Sequence, residues 1–176
     1  MAYLSAAVVL VGALGIFNML LTLALIRRLR TGGGTIRRVP GPALAVTLPV
    51  GQSVGEFTVT SAEGRVISRE SLDQLTLVGF FLPDCPPCRE RLPEFLAYAV
   101  RFPGDVVSVA VGDEAETDAL AKRLAPAGEV VVEPAQGPMG GAFQVGGYPA
   151  LCLVEPSGRI VATGSTIADL PAPVSA

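Results

Sequence analysis

The four residues Cys85-Pro86-Pro87-Cys88 constrain this chain more than any other feature, because of what stands on either side of them. Before them, residues 75–82 form a nearly continuous apolar run, which reads as a strand buried on both faces of a mixed sheet. After them a helical pattern begins at Arg89. The pair thus falls at the C-terminal edge of a strand and the start of a helix, where open α/β sheets commonly carry their chemistry. A helix N-terminus presents unpaired backbone N–H groups and partial positive charge, which favour a thiolate over a thiol at the first cysteine. Cys85 is the candidate nucleophile and Cys88 its resolving partner, a pair suited to exchanging electrons with a protein disulfide.

Two other uses of such a pair fit the composition less well. A C-x-x-C can be half of a zinc site, but the chain has no histidine, and its third cysteine, Cys152, stands alone in the apolar run 151–154. Zinc would have to be shared between two chains, so no metal is expected, and no cofactor beyond the cysteine pair. A purely structural disulfide gains little, since so short a loop hardly restricts the unfolded chain. Cys152 itself reads as a buried strand residue.

At 176 residues there is room for one domain with a real core and an additional segment. Residues 2–26 carry no charged side chain, and Ser5, Asn18 and Thr22 are the main polar interruptions. About 20 such residues cross a bilayer core. A cleaved secretory signal would place basic residues before the apolar run, whereas here Arg27, Arg28 and Arg30 follow it. Residues 1–30 are therefore read as a retained single-pass anchor with a basic flank, which puts the protein at the cell membrane. A buried core helix would rarely be apolar on every face.

Charge divides along the chain. All 16 acidic residues lie at or after Glu56, while five of the 13 basic residues lie between Arg27 and Arg38. Residues 51–176 hold eight basic against sixteen acidic side chains, a net charge of −8, which makes nucleic acid a poor partner. The arginine cluster suits anionic headgroups, at about 1 kcal/mol for each basic side chain near the surface, so membrane lipids are the expected partner of residues 2–30.

Residues 31–50 read as a flexible linker, broken by Gly32-Gly33-Gly34 and Pro40-Gly41-Pro42. In residues 51–170 the pattern predicts a hairpin of 56–60 and 65–67 across Ser61-Ala62-Glu63-Gly64, then a helical turn at 68–71. Strands follow at 106–111 and 130–132, with a helix over 114–124 between them and a brief helix at 138–143. A second hairpin, 151–154 with 160–162, turns at Pro156-Ser157-Gly158. Pro93 is expected to kink the first helix or to open it. Residues 171–176 are a tail.

Taken in order, Val50-Gly51 with its hairpin, the 75–82 strand, Cys85-Pro86-Pro87-Cys88, Pro93 and Gly147-Tyr148-Pro149-Ala150 resemble a thioredoxin-fold protein. The closer resemblance is to the TlpA/ResA-like redoxins, membrane-anchored thiol–disulfide oxidoreductases, and it covers about residues 50–164. It implies a thioredoxin-like α/β fold, a mixed central sheet flanked by helices, with an N-terminal β-hairpin and a single transmembrane helix ahead of it. The helix and strand inserted between Val111 and Val130 point away from plain thioredoxin, toward the TlpA and peroxiredoxin branch. The resemblance also gives Pro149 a cis peptide bond beside the cysteines and makes Tyr148 and Pro149 the backbone that pairs with substrate. Partners would be protein thiols and disulfides together with an upstream electron donor. A tethered binding or assembly module without turnover is an alternative, as is a peroxiredoxin-like peroxidase, although the threonine and proline that precede a lone peroxidatic cysteine in that family are missing.

The chain departs from the family pattern in places. Asp84 stands where thioredoxins carry tryptophan, and a carboxylate there opposes thiolate formation. Gly79 replaces the usual buried acid six residues before Cys85. Glu90 and Glu94 are left as candidate proton relays, with a solvated helix face as the alternative. The spacers Pro86 and Pro87 stiffen the loop and offer no N–H, which tunes the thiolate. The C-terminal helix shrinks to about 166–170, leaving a sheet face that needs other cover. On membrane side the arguments disagree: the arginines after the anchor favour the cytoplasm, the resemblance an extracytoplasmic domain. A disulfide reductase is favoured over an oxidase.

Overall fold

The computed structural model describes residues 46–172, together with Met19. Among the described residues no helix is long and apolar enough to cross a membrane; apart from Met19, the segment read as an anchor lies outside them.

The apolar run ahead of the cysteines becomes the middle of the sheet. β1 (Thr58–Thr60) and β2 (Val66–Ser68) first form a separate antiparallel hairpin. β3 (Thr76–Phe81) is buried at every position and leads into α1 (Pro86–Ala99). β4 (Asp105–Val111) runs parallel to β3, and α2 (Glu114–Leu124) carries the chain to β5 (Glu129–Glu133), parallel to β4. After the short α3 (Pro138–Ala142), β6 (Ala150–Val154) pairs antiparallel with β3, and β7 (Ile160–Gly164) antiparallel with β6. The sheet order is β5-β4-β3-β6-β7.

Side chains alternate across a strand, so β3 feeds two cores. Leu77 and Phe81 meet Leu92 and Phe95 of α1 and Leu120 and Leu124 of α2. Val78 and Phe80 meet Phe57 and Ile67 from the hairpin region, and Met139 and Phe143 at α3. The Phe143 ring lies 5.4 Å from Phe80 and 5.9 Å from Phe57, which ties hairpin, sheet and α3 together.

The structure corrects four local readings. α1 starts at Pro86, ahead of Arg89, because proline at a first helical turn has the right φ and no N–H to leave unpaired. The helix does not open at Pro93 but runs through it as one element: Cys88, Leu92, Phe95, Tyr98 and Ala99 form one buried face that spans it. The linker reading extends too far, since Thr47 and Leu48 are buried, Leu48 N–H donates to Phe143 O at 3.0 Å and Gly146 N–H to Val46 O at 2.9 Å. At the C-terminus a single 3-10 turn, Ile167–Asp169, replaces the expected short helix. Residues 165–171, on either side of this turn, cover α1 nonetheless: Leu170 is buried, the Tyr98 hydroxyl donates to Pro171 O at 2.8 Å and Arg91 to Ser165 O at 2.7 Å.

Gly79 has a packing cause. A Cβ there would stand 2.8 Å from the Phe81 ring and 2.9 Å from that of Phe95, which pack edge to face at 4.8 Å. Aromatic rings fill the space that a buried acid would need. Gly79→Ala should lower stability in urea by about 1–3 kcal/mol, the usual range for overpacking a core; an unchanged midpoint would contradict this packing.

Candidate redox site

The site is assembled at the joint between β3 and α1. Cys85 is the N-cap of α1, with extended backbone, and Pro86 and Pro87 occupy the first helical positions. Neither proline carries an N–H, so the donors of the first turn are few, and they converge on one residue. Cys88 N–H donates to Cys85 Sγ at 3.2 Å, and Arg89 N–H to the Cys85 carbonyl at 3.1 Å. This donor, with the partial positive charge of the helix end, favours negative charge on Cys85 Sγ. The two cysteines form a disulfide, with Cα atoms 5.1 Å apart. Cys85 is half-buried and Cys88 is 2 % exposed, an asymmetry that leaves the first sulfur the more accessible of the two.

The loop before β6 comes to the same place. The Tyr148–Pro149 peptide bond is cis, and the Tyr148 carbonyl oxygen lies 3.8 Å from Cys85 Sγ. Tyr148 packs against both cores of the sheet. Cys85, Cys88, Tyr148 and Pro149 are thus brought together. Glu90 and Glu94 are not: both are exposed on α1, and neither bonds to a cysteine. Asp84 is exposed as well. Cys152 is wholly buried in β6, 3.1 Å from the Thr47 hydroxyl, and burial pushes its thiol up, so it is no competitor for exchange.

One carboxylate escaped sequence reasoning. Glu133, at the end of β5, is 4 % exposed and accepts the N–H groups of Met139 at 2.9 Å and Gly140 at 2.7 Å. It pins the start of α3, the element that leads to the Tyr148–Pro149 loop. Gly137 permits this, since a Cβ there would lie 2.7 Å from a Glu133 oxygen. The Tyr148 phenol is pushed up by burial and then by the Glu133 carboxylate, so the two groups share one electrostatic environment. A charged residue ending an apolar strand, followed by Pro134 and Gly137, was the available signal.

No known family model matches the chain, and no curated protein matches it. Solved structures do. The thioredoxin domain of a thiol-disulfide oxidoreductase from Bacteroides vulgatus superposes with a TM-score of 0.58 at 21% identity, over 70% of this chain and 93% of that one. StoA from Bacillus subtilis gives 0.53 at 22% identity, over 63% and 87%. A secreted Mycobacterium tuberculosis disulfide oxidoreductase homologous to E. coli DsbE gives 0.53 at 18% identity, over 62% and 83%. The likeness establishes a thioredoxin-like fold, and the chemistry rests on the residues described above.

Burial raises the Glu133 carboxyl above its ordinary 4.5, against the two N–H bonds, which lower it. The folded state then holds this proton to higher pH than the unfolded chain, so the associated stability is full below about 4.5 and is lost as pH rises through the folded value. Urea titrations across that window should show wild type losing stability relative to Glu133→Gln as pH rises; a pH-independent difference would contradict the assignment. Glu133→Ala, which strands two buried donors, should cost about 1–3 kcal/mol.

Proposed function

We propose that this protein is a membrane-tethered thiol–disulfide oxidoreductase that acts on protein disulfides through Cys85 and Cys88. The observation that carries the reading is the convergence of the first-turn donor of α1 on Cys85 Sγ, beside the Tyr148 carbonyl and the cis Tyr148–Pro149 bond. The likeness in fold to structures described as thiol-disulfide oxidoreductases supports it.

In the reducing direction the Cys85 thiolate attacks one sulfur of a substrate disulfide. The substrate S–S bond breaks, a Cys85–substrate disulfide forms, and the first substrate thiolate leaves. Cys88 then attacks Cys85 Sγ, which closes the Cys85–Cys88 disulfide and expels the second substrate thiolate. Two electrons pass to the substrate, and an upstream dithiol restores the pair. The Tyr148–Pro149 backbone binds the extended substrate chain beside Cys85, and no cofactor beyond the two sulfurs takes part. Solvent supplies the protons, because the place of an internal acid is taken by Gly79 and the rings around it. The apolar segment 2–26 holds the domain at a membrane, and the arginines that follow it favour the cytoplasmic side, where reduction is the direction of exchange.

Cys85→Ser should abolish reduction of insulin by the purified protein with dithiothreitol as donor, whereas Cys88→Ser should accumulate a mixed disulfide visible by mass spectrometry. Full activity in Cys85→Ser would end the proposal. Labelling of reduced Cys85 by an impermeant maleimide in intact cells would overturn the membrane side alone.

A further inference from the structure

The segment that ends at Tyr148 and Pro149 has little to hold it from within. Its helical part, α3, is little more than one turn long and contains Gly140 and Gly141, so it is not stable by itself. Gln136 and Gln144, on either side of α3, adopt left-handed backbone with φ of 61° and 49°, a region uncommon for residues other than glycine. The segment therefore takes its position from its neighbours. At the C-terminal end of α3 these are main chain: Gly55 N–H donates to Ala142 O and Leu48 N–H to Phe143 O, both at 3.0 Å. At its N-terminal end the neighbour is a side chain, the buried carboxyl of Glu133.

Glu133 itself is fixed to the sheet. It ends β5 opposite Val111 of β4, and its carbonyl accepts the Gly112 N–H at 2.9 Å. Gly140 lets α3 come close, since a Cβ there would stand 3.2 Å from Glu133 Oε1. The same residue passes the constraint on: its N–H donates to that oxygen, and its carbonyl accepts the Val145 N–H at 2.9 Å. Three residues after Val145 comes Tyr148, whose carbonyl lies 3.8 Å from Cys85 Sγ. A sheet-anchored carboxyl is thus connected, through Gly140, to the strip of backbone beside the reactive sulfur, while its own hydrogen bonds go to Met139 and Gly140 and to neither cysteine.

We infer that Glu133 is a positioning residue for exchange with polypeptides: it holds the Tyr148–Pro149 backbone where an extended substrate pairs with it, and leaves the reactivity of Cys85 and Cys88 unaltered. The inference rests on the exchange reading above. A polypeptide needs both that backbone and the sulfur, whereas a small disulfide needs only access to Cys85 Sγ. Loss of the Glu133 bonds should therefore weaken the hold on a polypeptide equally before and during exchange, which raises KM and spares kcat. The effect is graded, because glutamine in place of Glu133 keeps one acceptor oxygen and alanine keeps none.

The test uses the full-length protein and three readouts: insulin reduction, the rate at which the reduced protein reacts with 2-hydroxyethyl disulfide, and the rate at which iodoacetamide alkylates Cys85. Glu133→Gln should raise the KM for insulin by about threefold and Glu133→Ala by about tenfold, each with kcat close to wild type. Both variants should react with the small disulfide and with iodoacetamide as wild type does. Leu170→Ala opens a cavity in the other core, so it lowers stability without touching this segment and should keep the wild-type KM. An unchanged insulin KM in Glu133→Gln and Glu133→Ala would overturn the inference. So would a small-disulfide or alkylation rate that falls along with insulin reduction, or a KM that rises equally in Leu170→Ala. Each of these outcomes leaves exchange at Cys85 standing; a wild-type protein that reduces neither insulin nor 2-hydroxyethyl disulfide would overturn the exchange reading itself.

Discussion

The contact between the Cys88 N–H and Cys85 Sγ organises the site. An ordinary helix start spreads its unpaired donors over several positions. Here Pro86 and Pro87 remove two of them, and what is left of the first turn is directed at Cys85, through its sulfur and its carbonyl. The prolines therefore focus the helix end on one atom and at the same time limit how many hydrogen bonds that atom receives. The rest of the fold serves this joint. β3 fixes where α1 begins, the buried face of α1 holds the helix through Pro93, and the loop before β6 sets the Tyr148 carbonyl against the same sulfur.

Two cores meet at β3 and support the site from different directions. The α1/α2 face is apolar and closely filled, to the point that Gly79 has no room for a side chain. Its outer cover is the 165–171 segment, held by Arg91 and Tyr98 rather than by a full helix. On the opposite face, α3 is too short to be stable by itself, and a buried carboxylate on β5 does the work of an N-cap. Burial first, and then the Glu133 carboxylate, raise the Tyr148 phenol, so the residue that pins α3 also acts on the side chain next to the Tyr148–Pro149 bond.

Much of this was legible in the residues because it depends on local pattern. The apolar run of β3, the proline–cysteine motif, the spacing of Leu120 and Leu124 and the turn at Gly158 each declare their element within a few positions. What could not be read depends on partners far away in sequence. Thr47 is drawn out of the apparent linker by Cys152, 105 residues on. Glu133 looks like a solvated strand end until Met139 and Gly140 fold back over it. The vacancy at Gly79 reads as a lost acid, and only the positions of Phe81 and Phe95 show why no side chain fits.

The central claim is that Cys85 and Cys88 form a reversible two-electron couple from which Cys152 is excluded. The direct measurement is equilibration of the full-length protein in graded thiol–disulfide buffers, followed by alkylation and peptide mass mapping. The account predicts a single two-electron transition in which Cys85 and Cys88 gain and lose label together, while Cys152 is labelled only after unfolding. A pair that stays in one state across the whole range, or a native disulfide that includes Cys152, would contradict it.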